Sequence, residues 1–144
     1  MSIEQELASG LCAAIVEQAS EAVIYADRDG IVRLWNRGAE TIFGFAADEA
    51  IGRDLDLIIP ERFRAAHNAG YRRAMDTGQV RLGGRVLTTR SQHKNGDKLY
   101  VDLSFGLVKN EAGAPQGAFA IGRDVTARQL QEAARSAAAG ARQS

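Results

Sequence analysis

From Lys98 to Lys109 the chain alternates Leu99, Val101, Leu103, Phe105 and Leu107 against Lys98, Tyr100, Asp102 and Ser104. Successive side chains of an extended chain point to opposite faces, so this stretch predicts a long strand with one buried face. Leu103 and Phe105 are expected to point into the core from a central strand. The preceding His93-Lys94-Asn95-Gly96-Asp97 reads as a hairpin turn built on Asn-Gly. Its partner strand is expected within Val80 to Gln92, where Val86, Thr88 and Thr89 are β-branched. After Lys109, the segment Asn110 to Gln116 holds Gly113 and Pro115 and reads as a turn into a last strand, Gly117 to Arg123. A further hairpin stands near the start. Ala22–Ala26 and Ile31–Trp35 are apolar runs joined by Asp27-Arg28-Asp29-Gly30, where glycine can supply a positive φ.

Between the two sets of strands the period changes to helical. Asn36 is suited to cap a helix from Arg37 to Phe43, with Ala39, Ile42 and Phe43 on one side and Gly44 ending it. Ala47 to Ile51 predicts one more helical turn, stopped by Gly52. Leu55 to Ile59 is a compact apolar segment before Pro60. Pro60 and Glu61 suit the start of a longer helix that stops at Gly78. Phe63, Ala66, His67, Gly70, Tyr71 and Ala74 share one face of it. The N-terminal residues 1–19 predict an amphipathic helix in which Ile3, Leu7, Leu11, Ala14, Ile15 and Gln18 recur at helical spacing. That stripe has two candidate covers, the domain's own sheet and a second copy of the chain. Residues 128–144 continue an Ala-rich helix from Thr126, with few large apolar side chains and an end expected to fray.

Composition narrows the functional classes. The chain has 144 residues, the size of one domain, with 18 basic and 18 acidic side chains. That balance argues against a nucleic-acid partner or an anionic membrane surface. Cys12 is a single cysteine and forms no internal disulfide. No apolar run has the length of a membrane span, and the acidic start lacks the features of a signal peptide, so a cytoplasmic location is expected. An enzyme is not expected. Two histidines and one remote cysteine make neither a zinc site nor a Cys–His dyad. Gly83-Gly84 is not followed by the lysine of a phosphate-binding loop. Asp54 and Asp56 would point to opposite sides of an extended chain.

Several short segments occur in a telling order: Asp27-Arg28-Asp29-Gly30-Ile31-Val32, Trp35-Asn36-Arg37-Gly38-Ala39-Glu40, Phe43-Gly44-Phe45, Ile51-Gly52-Arg53, Lys94-Asn95-Gly96-Asp97 and Gly122-Arg123-Asp124-Val125-Thr126. Together they resemble a PAS domain of the bacterial S-box type over residues 20–127. The resemblance implies an α+β fold: a five-stranded antiparallel sheet, helices on one face around a small cavity, and flanking N- and C-terminal helices. It implies a sensory module that binds a small ligand or cofactor, forms a homodimer, and signals to an output protein or domain outside this chain.

The stretch Ile59 to His67, continued by Gly70-Tyr71-Arg72-Arg73 and Thr77-Gly78, is similar to the haem-binding PAS oxygen sensors. That similarity implies haem b as a candidate cofactor and His67 as its proximal iron ligand, with Phe63 and Tyr71 beside it. The distal side would come from the following strand. Arg85 falls where such sensors place a Met and Leu87 where they place an Arg; a small register shift would give Arg85 the gas-contacting role. The alternative for His67 is a packed helix residue with no ligand. Arg62, Arg64, Arg72 and Arg73 are candidates for propionate contacts, or simply a solvated face. Flavin is the weaker cofactor candidate. Cys12 precedes the core and no Asn-Cys-Arg segment occurs, which argues against cysteinyl–flavin chemistry. Trp35, Phe43, Phe45 and Phe63 could line a flavin cavity or form a core. His93, beside a turn, is expected in solvent.

Overall fold

The structure is a computed structural model and describes residues 2–80 and 85–143. Helix α1 (Ile3–Gln18) leads into the hairpin β1 (Ala22–Asp27) and β2 (Val32–Trp35). Two short helices follow, α2 (Arg37–Phe43) and α3 (Ala47–Ala50), then a 3-10 turn (Leu55–Ile58) and the longer α4 (Glu61–Thr77). Strands β3 (Val86–Gln92), β4 (Lys98–Lys109) and β5 (Pro115–Asp124) complete the sheet, and α5 (Thr126–Gln143) leaves it. All neighbouring strands are antiparallel, in the order β2-β1-β5-β4-β3. The last strand is therefore the middle one. The expectation that Leu103 and Phe105 lie on a central strand is corrected: β4 stands one place from the edge. The third strand also begins at Val86 rather than Val80, and Arg81 to Gly84, including the Gly83-Gly84 pair, lie outside the described residues.

The period-two reading holds along β4, where Leu99, Val101 and Leu103 are buried. They meet Ile24, Val32, Trp35 and Phe43 in one core. Trp35 packs on Phe43 with ring centroids 5.5 Å apart, and its indole N–H donates to the buried Phe45 carbonyl at 2.9 Å. Asn36 caps α2 as expected, its side-chain oxygen accepting from the Ala39 N–H at 2.9 Å. The same oxygen accepts from the Val23 N–H at 2.8 Å, and the amide nitrogen donates to the Val16 carbonyl at 2.7 Å and the Glu21 carbonyl at 3.0 Å. One buried amide thus ties the end of α1 and the start of β1 to α2.

Strand register explains the hollow beneath α4. Ile24 and Phe105 flank Ala120 across the sheet, and Ala26 and Leu107 flank Ala118. Small side chains on the middle strand leave space that larger ones would fill. On the opposite face, the Phe119 ring covers Gly106 and the Tyr25 ring covers Gly117, so closely that a Cβ at either glycine would collide with the ring. The exposed stripe of α1 is not covered by the domain's own sheet, for Ile3, Leu7, Leu11 and Ile15 are 60% to 75% exposed.

Candidate functional site

Between the sheet and α4 lies a cavity of about 640 Å³. The 3-10 turn contributes Leu55, Ile58 and Ile59, α4 contributes Phe63, Ala66, His67 and Tyr71, and the sheet contributes Leu87, Leu103, Phe105, Ala118 and Ala120 among others. Its walls are overwhelmingly apolar, which suits a ligand of small-molecule or cofactor size. Phe105 faces this space, is only half-buried, and packs against the margin of the core.

His67 stands in the cavity wall. Its Nδ1 is buried without a hydrogen-bond partner. Burial holds the imidazole below its usual range, against the opposing pull of Asn68, Asp56 and Asp54, so the neutral ring is favoured. Tyr71 lies one turn further along the same face, its ring centroid 6.1 Å from that of His67. Its hydroxyl reaches the Asp27 carbonyl at 2.6 Å and the Ala26 carbonyl at 3.0 Å. Burial pushes this phenol well above its usual range, and the neutral form that can donate is retained. Tyr71 therefore fastens α4 to β1, and Met75 is the buried residue further along the same helix.

The structure brings His67, Tyr71, Phe63 and Leu87 together around one space and leaves Arg85 out of it. Arg85 is exposed, one residue before β3, and does not line the cavity. Residues that share the facing of Leu87 on β3, Thr89 and Ser91, do line it. They went unsingled in the sequence, although period two from Leu87 points to them. Arg90 borders the cavity, but its guanidinium lies over the Tyr100 ring on the sheet's other face, 5.8 Å from the centroid.

The arginines of α4 divide. Arg62 lies over the Phe63 ring at 4.6 Å, and Arg64 donates to the Ile59 carbonyl at 2.9 Å. Arg73 is exposed. Arg72 faces a second, polar pocket of about 400 Å³ with Arg28, Asp29, Asp54 and Asp76, which shares His67, Tyr71 and Leu55 with the cavity. Of the aromatic residues considered for a flavin, Trp35, Phe43 and Phe45 belong to the core, and Phe63 alone lines the cavity. Cys12 is exposed on α1.

His93 is not in open solvent. Its ring is half-buried against Gly44, where an added Cβ would collide with the imidazole. Its Nδ1 accepts from the Asn95 N–H at 3.1 Å. Asp54 and Asp56 are not on an extended chain either: Asp54 caps the 3-10 turn by accepting from the Asp56 N–H at 2.8 Å. Among the described residues no group of three or more His, Cys, Asp and Glu could hold a metal ion. No described helix is long and apolar enough to cross a membrane.

A family model described as the PAS fold matches residues 16–130. The Oxygen sensor protein DosP of Escherichia coli is 26% identical over 104 residues, covering 72% of this chain and 13% of that protein. The Sensor protein FixL of Bradyrhizobium diazoefficiens is 28% identical over 92 residues, covering 64% of this chain and 18% of that one. The chain thus spans less than a fifth of the length of either relative. Among solved structures, the PAS domain of a protein from Colwellia psychrerythraea superimposes with a TM-score of 0.71 at 22% identity, covering 83% of this chain and 98% of that one.

Proposed function

This chain belongs to the PAS family, and on that premise we propose that it is a sensory domain whose cavity takes a small, mostly apolar ligand or cofactor. One observation carries the reading: an apolar space of about 640 Å³ that the fold leaves open between the sheet and α4. Residues 20–127 form the sensing unit in this proposal, and residues 1–19 and 128–144 pass occupancy to partners. The apolar stripe of α1 makes a second copy of the chain the first such partner. The test fills the space. Ala118→Phe should abolish uptake of an apolar, environment-sensitive fluorescent dye while circular dichroism stays native. Undiminished uptake would move the ligand site elsewhere.

Haem b is the second reading, favoured by the half-buried, neutral imidazole of His67 on an apolar wall. The residues present fit the group. His67 offers a neutral imidazole as iron ligand, Phe63 and Leu87 offer apolar packing, and Tyr71 holds the helix that carries His67. Bound there, the iron would supply reversible coordination of a diatomic gas or a one-electron redox change. Arg85 would join the site only if the start of β3 turned inward. The names of two relatives, an oxygen sensor and a sensor protein, agree with this reading. Titration of the wild type with haem should give a sharp Soret band that His67→Ala loses. Equal affinity and identical spectra in both proteins would remove haem from the proposal.

A further inference from the structure

Among the described residues, two buried side-chain polar atoms lack a hydrogen-bond partner: Nδ1 of His67 and Oδ1 of Asp56. A buried polar group without a partner is costly and rare enough to need a cause. These two have complementary chemistry. A carboxylate oxygen only accepts, and an imidazole nitrogen that carries the proton donates. They also stand on elements that share a wall. The 3-10 turn holding Asp56 lines the cavity through Leu55 and Ile58, and α4 lines it through His67. The Asn68 side chain and the charges of Asp56 and Asp54 all favour the protonated ring.

We infer that Asp56 is a positioning residue for His67: its carboxylate holds the proton on Nδ1 through one bridging water and leaves the Nε2 lone pair to a ligand. This rests on the reading of His67 as a ligating residue, and it adds the group that sets its tautomer. A carboxylate behind a ligating imidazole fixes the ring's orientation and raises its basicity. Asp56 lines neither pocket, so it cannot contact the ligand itself and acts through His67 alone. Asn68, whose side chain also hydrogen-bonds the His67 ring, is the competing partner and serves as the control.

Long-range proton–nitrogen correlation spectra of the ligand-free protein, labelled with nitrogen-15 histidine, test this directly. The second histidine is an internal reference. Its Nδ1 accepts from the Asn95 N–H, so His93 carries its proton on Nε2. The wild type should show one ring of each tautomer, with the Nδ1-protonated one missing from His67→Ala. Asp56→Ala should shift His67 toward the Nε2-protonated form. Asp56→Asn, whose amide oxygen still accepts, should retain the wild-type tautomer, and Asn68→Ala should leave it unchanged. An unaltered His67 tautomer in Asp56→Ala overturns the inference. In a parallel haem titration, Asp56→Ala should weaken binding by about 10–100-fold. If the wild type takes up no haem, the haem reading fails while the tautomer spectra still decide the role of Asp56. If haem binds and the tautomer is indifferent to Asp56, the positioning role fails alone.

Discussion

At the scale of single residues, His67 and Asn36 show two ways of burying a polar side chain. Asn36 is 1% exposed, and both ends of its amide are satisfied by backbone groups of three different segments. His67 is left with an unpaired nitrogen, and its burial disfavours the charged ring. The folded state therefore binds a proton less readily than the unfolded chain, whose imidazole titrates near 6.5. Below that pH the unfolded state holds more protons, so stability is fully present above it and declines as the pH falls toward the folded value. Asp27 and Asp102 have the opposite chemistry but the same sign. Burial pulls the Asp27 carboxyl up, yet Arg33 and the N–H groups of Ile31 and Asp29 hold it below its usual range. Thr88 and Arg128 hold Asp102 low. Their contributions are lost only in the acid range where carboxylates protonate. Between about pH 7.5 and about pH 5.5 the loss should belong to His67. Urea midpoints should fall over that interval in the wild type and much less in His67→Ala. Parallel slopes in the two proteins would place the proton uptake on another group.

At the scale of elements, α4 is fastened at one end and loose at the other. Met75 is buried and the Tyr71 hydroxyl meets the carbonyls at the end of β1, whereas Phe63 is 38% exposed and Ala66 is exposed. The helix is thus a wall of the cavity whose N-terminal half packs weakly on the sheet. Tyr71→Phe removes the hydroxyl and leaves the ring, so it should cost about 1 kcal/mol of stability. Its larger effect should be local: amide hydrogen exchange should quicken along α4 and stay unchanged in β1, β4 and β5. Uniform quickening would show that Tyr71 supports the whole domain instead. At the other face, α5 is joined to the sheet by a chain of contacts. Thr88 donates to Asp102 at 2.6 Å, Arg128 donates to Asp102 at 2.9 Å, and the Thr126 hydroxyl accepts from the Tyr100 N–H at 2.9 Å. These bonds link the strand beside the cavity to the helix that leaves the domain.

At the scale of the whole molecule, the exposed stripe of α1 is the feature that a single copy leaves unexplained. Ile3, Leu7, Leu11 and Ile15 recur every fourth residue along a helix that has no buried residue. Leu130 is similarly exposed, at 57%, on α5. Sedimentation of the full chain should show a dimer, and Leu7→Asp with Leu11→Asp should convert it to a folded monomer, because charges on a buried stripe are strongly disfavoured. A monomeric wild type would leave the stripe to a different partner.

Local spacing in the sequence determined the elements. Period two in Lys98–Lys109, the Asn-Gly turn at Asn95-Gly96, the cap at Asn36 and the stop at Gly44 are each set by backbone geometry within a few residues, and each is found in place. Tertiary structure alone decided the rest. The last strand enters the middle of the sheet, and its register sets Ala118 and Ala120 beneath α4, which opens the cavity. Side chains distant in sequence then find or miss one another. His93 settles against Gly44, Arg85 stays outside, and one buried atom each of His67 and Asp56 lacks a partner. The cause is physical: periodicity and capping are short-range properties of the chain, whereas register, cavity and unpaired polar atoms follow from the joint packing of segments that no local spacing relates.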